Sequence, residues 1–123
     1  VKEYDGGDIY QALAYGKVKD YIEKELPDFI ATSWHFDGVD IVPKDSGKDK
    51  GIIEYCKLRN IDIKDTMAFG DGENDIEMLK TVGIGVAMGN SIDMVKENAD
   101  YITDRIEDDG LYKALRHYEV IDD

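Results

Sequence analysis

The residues with the clearest chemical potential lie in Phe69–Asp75, which has the sequence FGDGEND. Asp71 offers a carboxylate, a hard oxygen ligand of the kind that Mg2+ prefers, and this metal often shares its coordination sphere with a substrate phosphate. Asn74 could donate a hydrogen bond to such a phosphate without adding negative charge. The two glycines let the backbone turn tightly beside these side chains. The residue types and their spacing therefore permit a magnesium and phosphate site.

A purely structural interpretation fits the same segment. An aspartate followed by a glycine is a common turn dipeptide, and Asn74 with Glu77 would cap a helix in any protein. Three known ligand motifs do not match. The dinucleotide fingerprint needs a small residue where Asp75 stands, an EF-hand loop needs glycine where Ile76 stands, and the chain has no Gly-x4-Gly-Lys phosphate loop. Spacing alone leaves the structural and functional interpretations about equally open.

The elements around this segment alternate between strand and helix patterns. Strands are predicted for TMAF, GIGVAM and DYIT, and helices are predicted over residues 48–59, 75–82, 92–98 and 109–118. Such alternation indicates parallel βαβ packing, so we expect half of a doubly wound α/β sheet. The FGDGEND segment would then follow the carboxyl end of a strand, where open α/β sheets bind ligands.

The first helix of this part is predicted from its cap and its apolar residues. Ser46, with Asp49 three residues later, resembles a capping box. The apolar side is expected to contain Ile52, Ile53, Cys56 and Leu58. Cys56 is therefore expected to be a core residue.

The beginning of the chain has a different pattern. Residues 17–26 have helical apolar spacing, and Pro27 ends that helix. The segments FIATSWHF and VDIVP are rich in β-branched and aromatic residues, and the Asp37-Gly38 pair between them predicts a hairpin. Residues 1–43 therefore form an α+β piece, and residues 43–47 form a connection.

Composition limits the possible functions. The chain has 123 residues, a net charge of -13 and 42% hydrophobic residues, so we expect a globular protein. This acidity argues against nucleic-acid and anionic membrane partners, which require clustered basic residues. The single cysteine excludes an internal disulfide and suits a reducing cytoplasm. No apolar run approaches the length of a membrane span, and no signal-peptide pattern opens the chain.

The segment GDGENDIEMLKTVGIGVAMGNSIDMVKENADYIT resembles the C-terminal signature of the haloacid dehalogenase superfamily, specifically its Cof-type sugar-phosphate phosphatases. The resemblance extends from about Lys50 to Gly110, and its most specific parts are GDGEND and VAMGN. It implies a haloacid dehalogenase-like doubly wound parallel sheet, with the C-terminal half of the core over residues 46–123. Residues 1–45 resemble the C-terminal part of the α/β cap domain that these enzymes insert into the core.

The resemblance also implies roles for three residues of the FGDGEND segment. Asp71 matches the acid that binds Mg2+ directly. Asp75 matches a second acid that supports the metal site through its outer shell. Asn74 matches a residue that contacts the transferring phosphoryl group. The family's cofactor, Mg2+, is expected here on the same grounds.

Two further residues are implicated by the resemblance. Lys50 matches the lysine that neutralises the charge of the phosphate and the nucleophile, which is an electrostatic catalytic role. Lys48 is a neighbouring candidate, but Lys50 is preferred because Gly51 follows it. Asn90, in the VAMGN segment, matches a residue on the phosphate side of the site, although a turn residue remains an equal alternative.

Part of the family's machinery is missing from this chain. The family uses an aspartate nucleophile in an Asp-x-Asp stretch, and no two aspartates here are spaced in that way. A counterpart of the family's Ser or Thr phosphate-binding motif is also absent, and the chain begins with Val1 rather than methionine. Covalent catalysis needs the nucleophile. We therefore expect an inactive C-terminal portion that needs the N-terminal half, from the same polypeptide or another chain.

The expected function is hydrolysis of a small phosphorylated metabolite, such as a sugar phosphate, by the whole protein. One alternative is a non-catalytic domain that binds a phosphorylated ligand or a protein partner. An Asp-x-Asp stretch elsewhere in the protein would favour the enzyme. A second alternative is a truncated gene product without function, for which an uncovered sheet edge predicts poor solubility.

Overall fold

The computed structural model describes residues 6–122, apart from the side chains of Trp34 and His35. Residues 1–5, which belong to the predicted cap portion, and Asp123 lie outside the described residues. The chain folds into two compact units, Val1–Asp45 and Ser46–Asp123. Each unit has its own sheet and its own hydrophobic core.

The first unit is a three-stranded antiparallel sheet with one helix. Its elements in chain order are β1 Ala12–Tyr15, α1 Lys19–Glu25, β2 Phe29–His35 and β3 Gly38–Pro43. The strand order is β1-β3-β2, and a two-residue turn joins β2 to β3. The predicted helix and hairpin are confirmed, whereas β1 is an additional strand that the sequence pattern did not predict.

The core of the first unit lies between α1 and the sheet. Ile22, only 6% exposed, packs with Ala31 and Val39, which belong to β2 and β3. Val18 lies four residues before Ile22 and packs against the same cluster, as expected for one face of a helix. The helix ends before Pro27, which has no N–H to continue the helical hydrogen bonds.

The second unit is a three-stranded parallel sheet with the order β4-β5-β6. Its elements are α2 Lys48–Arg59, β4 Met67–Gly70, α3 Ile76–Thr81, β5 Ile84–Ala87, α4 Asp93–Lys96, β6 Tyr101–Ile102 and α5 Gly110–His117. Short 3-10 turns lie at Ile63–Asp65, Glu73–Asp75 and Ile106–Asp108. The predicted alternation of strands and helices is confirmed. Within the described residues, no helix is long and apolar enough to cross a membrane.

The strands of the second unit end together at one edge of the sheet. Gly70, the last residue of β4, pairs with Ala87, the last residue of β5. Ala87 in turn pairs with Ile102 at the end of β6. Residues that follow these strands are therefore placed at the same carboxyl edge.

The core of the second unit holds α3 close to the sheet. Its buried members are Ala68, Met78, Leu79, Val82, Ala87 and Val95. A Cβ added to Gly85 in β5 would lie 2.2 Å from the carbonyl oxygen of Leu79 in α3. Because backbone atoms cannot move aside as a flexible side chain can, glycine at this position permits the close packing of α3 against β5.

The first helix of the second unit differs in detail from the prediction. The N-cap residue is Gly47 rather than Ser46, and Gly47 has no side chain that could cap α2. Cys56 is 4% exposed, which confirms its predicted place in the core. The expectation for Leu58 is wrong, because its side chain is 82% exposed. Residues two apart on an α-helix are about 200° apart around its axis, so Leu58 lies away from the face that buries Cys56.

Candidate active site

Two polar side chains meet at the carboxyl edge of the parallel sheet. Asp71 comes directly after β4, and Asn90 lies three residues beyond the end of β5. Asn90 Nδ2 donates a hydrogen bond to Asp71 Oδ2 at 3.1 Å. Asp71 is exposed. The structure thus brings two of the predicted site residues together where α/β sheets bind ligands.

Asp75 holds the loop that carries Asp71. Its Oδ2 atom accepts hydrogen bonds from the backbone N–H groups of Asp71 at 2.9 Å and of Gly72 at 3.0 Å. Its Oδ1 atom forms an ion pair with Lys48 Nζ at 2.5 Å. Asp75 is 5% exposed. Because its carboxylate is engaged by the loop and by a lysine, this geometry suits an outer supporting role better than direct metal coordination.

The environment of Asp75 favours its ionised form. Burial by itself would raise the pKa of this carboxyl. The hydrogen bond from Lys48, the two backbone N–H groups and the charge of Lys48 together outweigh burial, so the pKa of Asp75 lies below its ordinary value of 3.8. The buried carboxylate therefore remains negatively charged at neutral pH.

Glycine at position 70 makes room for the Asp75 side chain. A Cβ on Gly70 would lie 2.5 Å from the Asp75 Cβ and 3.0 Å from its Cγ. Gly70 is itself buried, at the last position of β4. The first glycine of the GDGEND segment therefore lets the carboxylate of Asp75 reach back beneath the loop.

Lys48 lies at this site, whereas the sequence pattern favours Lys50. Both residues lie in the first turn of α2, but it is Lys48 that contacts Asp75. Among the described residues, no hydrogen bond or ion pair joins Lys50 to Asp71, Asp75 or Asn90. The physical reason is helical geometry, because residues two apart lie on nearly opposite sides of a helix. Only one of the two lysines can face the loop.

The loop that carries Asn90 is fastened to the end of β4. The Met88 N–H donates to the carbonyl oxygen of Gly70 at 3.0 Å, and Ser91 Oγ donates to the same oxygen at 3.3 Å. The Ser91 N–H also donates to the Met88 carbonyl oxygen at 2.9 Å. Ser91 is buried. These bonds fix the position of Asn90 relative to Asp71.

A cavity of about 380 Å³ lies over these residues. Its polar lining comes from Lys48, Asp71, Asp75 and Asn90. Its apolar lining comes from Phe69, Met88, Ile106 and Leu111. Sequence reasoning missed the last two, because they belong to a 3-10 turn and to α5, and no local signal places them beside the end of β4. Neither Lys50 nor Asn74 lines this cavity.

Asn74 belongs to the same loop but does not line the cavity. It belongs to the short 3-10 turn that leads into α3. Its Oδ1 atom lies 2.9 Å from the point where a Cβ on Gly72 would stand. The structure therefore places Asn74 against the loop backbone, while Asp71 and Asn90 contact each other at the sheet edge.

The donor set fits part of a magnesium site. No group of three or more histidine, cysteine or acidic side chains that could hold a metal occurs within residues 6–122. Asp71 offers an exposed carboxylate, whereas Asp75 is engaged by Lys48 and the loop. Because Mg2+ commonly binds through one or two carboxylates and keeps several water ligands, the residues present can supply one direct ligand.

Comparison with known proteins identifies the family. The model for haloacid dehalogenase-like hydrolases matches residues 8–115. YkrA of Bacillus subtilis is 39% identical over 116 residues, and the match covers 92% of this chain and 44% of YkrA. The 5-amino-6-(5-phospho-D-ribitylamino)uracil phosphatase YcsE of Bacillus subtilis is 57% identical over 56 residues, covering 46% of this chain and 22% of YcsE. The chain belongs to the haloacid dehalogenase-like hydrolase family, as the sequence resemblance indicates.

Solved structures show the same fold. The phosphatase BT1666 from Bacteroides thetaiotaomicron matches with a TM-score of 0.86 and 36% identity, over 94% of this chain and 44% of BT1666. The subclass IIB sugar phosphatase BT4131 matches with a TM-score of 0.87 and 35% identity, over 94% of this chain and 45% of BT4131. The chain thus spans less than half the length of these proteins, which fits a C-terminal portion of such a phosphatase.

Proposed function

We propose that this chain is the C-terminal portion of a Mg2+-dependent phosphatase that hydrolyses a small phosphorylated metabolite. The observation that supports it most is the meeting of Asp71, Asn90 and the pair of Lys48 with Asp75 at the carboxyl edge of the parallel sheet. The phosphatase relatives support the same reaction class. In this proposal the chain supplies the metal-binding and lysine half of the active site.

Asp71 is the proposed direct ligand of Mg2+. When bound, the cation would supply positive charge that offsets the negative charge of the phosphoryl group. Asp75 does not need to touch the cation, because its two bonds to backbone N–H groups fix the loop that presents Asp71. Water, the substrate phosphate and the rest of the protein would provide the other ligands.

Lys48 is the proposed phosphate-neutralising lysine, in place of Lys50. Its side chain is 51% exposed, so its charge reaches the cavity while Asp75 holds its position. The chain carries a net charge of -13, and a phosphate dianion therefore needs local positive charge in order to bind. A lysine held in place before the reaction provides that charge without a reorganisation cost.

The role of Asn74 remains a separate proposal. The family resemblance gives it a contact with the phosphoryl group, and its side chain is positioned by the same 3-10 turn that contains Asp75. We propose that the Asn74 amide donates a hydrogen bond to a phosphoryl oxygen that lies outside the cavity over Asp71.

The nucleophile is proposed to lie outside this chain. The carboxylate of an Asp-x-Asp stretch, carried by the N-terminal half, would attack the phosphorus and release the alcohol of the substrate. Water would then hydrolyse the aspartyl-phosphate. No such stretch occurs among the 123 residues, so the chain alone is expected to be inactive.

Relatives suggest the substrate class. YcsE acts on 5-amino-6-(5-phospho-D-ribitylamino)uracil, and BT4131 is a sugar phosphatase. We therefore propose a phosphorylated sugar or a metabolite with a sugar-like chain as the substrate. A cytoplasmic location, without nucleic-acid or membrane partners, is part of the same proposal and follows from the acidic composition and the single cysteine.

A chimera tests this function. The C-terminal part of Bacillus subtilis YitU, a 5-amino-6-(5-phospho-D-ribitylamino)uracil phosphatase that is 32% identical over 129 residues, is replaced by this chain. The chimera should hydrolyse p-nitrophenyl phosphate with Mg2+ and lose this activity in a chelator, whereas the chain alone should show none. A folded chimera without Mg2+-dependent activity would contradict the proposal and favour a non-catalytic binding domain.

A further inference from the structure

Asn90 is held against Asp71 by a loop that is anchored on two sides. Besides the bonds to the end of β4, the Gly89 N–H donates to the carbonyl oxygen of Asp104 at 3.1 Å. A Cβ on Gly89 would lie 2.7 Å from the backbone nitrogen of Arg105, so this segment is tightly packed. The placement of the Asn90 side chain is therefore a property of the fold.

The orientation of the Asn90 amide follows from its partner. The carboxylate of Asp71 accepts hydrogen bonds, so the amide must turn its nitrogen toward Asp71. In this orientation Asn90 Oδ1 is buried and has no hydrogen-bond partner within residues 6–122. A buried acceptor without a partner is unfavourable. The contact with Asp71 is thus formed although it leaves the other end of the amide unpaired.

We propose that Asn90 is a positioning residue for the metal ligand Asp71, an inference that rests on the proposed function. Its Nδ2 atom holds Oδ2 of Asp71, which leaves Oδ1 of Asp71 as the oxygen for a divalent cation. A contact with phosphate explains the geometry less well. Phosphate oxygens need donors, and after the bond to Asp71 the amide has only its second N–H left to donate, because its buried carbonyl oxygen can only accept.

The contact itself is tested by a double-mutant cycle on the 123-residue chain in EDTA. The variants are Asn90→Ala, Asp71→Ala and the combination, and urea unfolding gives the unfolding equilibrium constant of each. The effect of Asn90→Ala on that constant should differ by about two- to twelvefold between the wild-type chain and the Asp71→Ala background. This range corresponds to the free energy of one hydrogen bond. Strictly additive effects would overturn the contact.

The positioning role is tested by titrating the 15N-labelled chain with MgCl2 and following the backbone amide signal of Gly72 by NMR, which measures weak binding. Asn90→Ala should weaken Mg2+ binding by about tenfold or more, the usual effect of losing a partner of a metal ligand. Asn98→Ala is the matched control, because Asn98 Nδ2 donates to the carbonyl oxygen of Met94, outside the site. This control should leave Mg2+ binding unchanged.

The outcomes separate the inference from the function on which it rests. If the wild-type chain and Asn90→Ala bind Mg2+ equally, the positioning role is wrong while the metal site stands. If neither the wild-type chain nor the YitU chimera, which also carries the N-terminal half of the site, shows a saturable Mg2+ response, the metal site proposed at Asp71 fails, and the role of Asn90 fails with it. Asn90→Ser, whose shorter side chain cannot reach Asp71, should reproduce the weakened binding and replaces Asn90→Ala if that variant does not fold.

Discussion

Replacing Lys48 with alanine removes the contact that joins α2 to the loop after β4. The carboxylate of Asp75 would keep its two hydrogen bonds from the N–H groups of Asp71 and Gly72. It would lose the ion pair with Lys48 Nζ, and in the intact chain its side chain is only 6% exposed. Lys48→Ala therefore leaves a buried negative charge with incomplete compensation.

The expected loss of unfolding free energy in Lys48→Ala lies between two limits. Breaking a fully buried ion pair costs about 3–5 kcal/mol, and an exposed pair contributes about 0–1 kcal/mol. The Lys48 side chain is 51% exposed, so water can partly replace it, and we expect a loss of about 1–2 kcal/mol. A small domain loses about 4–8 °C in Tm for each kcal/mol, which gives a decrease on the order of 10 °C.

The loss should depend on pH in a defined direction. The folded-state pKa of Asp75 is lowered, so the interactions of its ionised carboxylate stabilise the folded chain. This stabilisation is fully present above the ordinary pKa of 3.8, and it is lost as the pH falls through the lower folded-state pKa. The difference in Tm between the wild-type chain and Lys48→Ala should therefore be constant near neutral pH and shrink below pH 3.8.

The assay is thermal unfolding followed by circular dichroism, with Lys50→Ala as the matched control. Lys50 lies in the same turn of α2 without a contact to Asp75, so its replacement should change stability by less than about 0.5 kcal/mol. In an Asp75→Asn background, Lys48→Ala should cost little. An equal cost of Lys48→Ala with and without the Asp75 charge would refute the assignment of this ion pair.

Two further substitutions test the packing of the second unit. Gly70→Ala should destabilise the chain by about 1–3 kcal/mol, because the new Cβ would lie 2.5 Å from the Asp75 Cβ; urea unfolding measures this, and an unchanged midpoint would contradict it. Thr103→Val should cost about 1–3 kcal/mol, because buried Thr103 Oγ1 donates to the carbonyl oxygen of Gly110 at 2.6 Å. For Thr103→Val, faster hydrogen exchange at the start of α5 is expected, and unchanged exchange would argue against that bond.

Local sequence patterns were sufficient for most elements of the second unit. The strands β4 and β5 are short apolar runs, and glycines and polar residues mark where each one ends. Because parallel strands end at the same edge, placing Asp71 and Asn90 after neighbouring strands was enough to bring them together. The placement of these two residues at the sheet edge was therefore predictable from the chain.

Other features depend on contacts that a local pattern does not contain. Strand β1 has only four residues, and most of them are exposed. The alternation of buried and exposed residues that indicates a strand is therefore weak here. Its partner is β3, more than 20 residues later in the chain, and only that pairing defines it as a strand. Two of the four apolar residues that line the cavity, Ile106 and Leu111, were missed for the same reason.

The choice between Lys48 and Lys50 shows the limit of a motif. A lysine followed by a glycine matched the family pattern, and this favoured Lys50. Which lysine faces the loop depends on the rotation of α2 about its axis, and the structure turns Lys48 toward Asp75. The same helical reasoning, applied to Cys56 and Leu58, would have placed Leu58 on the exposed side.

The most direct test of the central claim is the turnover of Asp71→Ala in the YitU chimera. If Asp71 is the metal ligand of a phosphatase site, Mg2+-dependent hydrolysis of p-nitrophenyl phosphate should fall by roughly 100-fold or more. Asp93→Ala, which changes an exposed aspartate at the start of α4, should leave the rate unchanged. Equal turnover of the Asp71→Ala chimera and its parent would contradict the account.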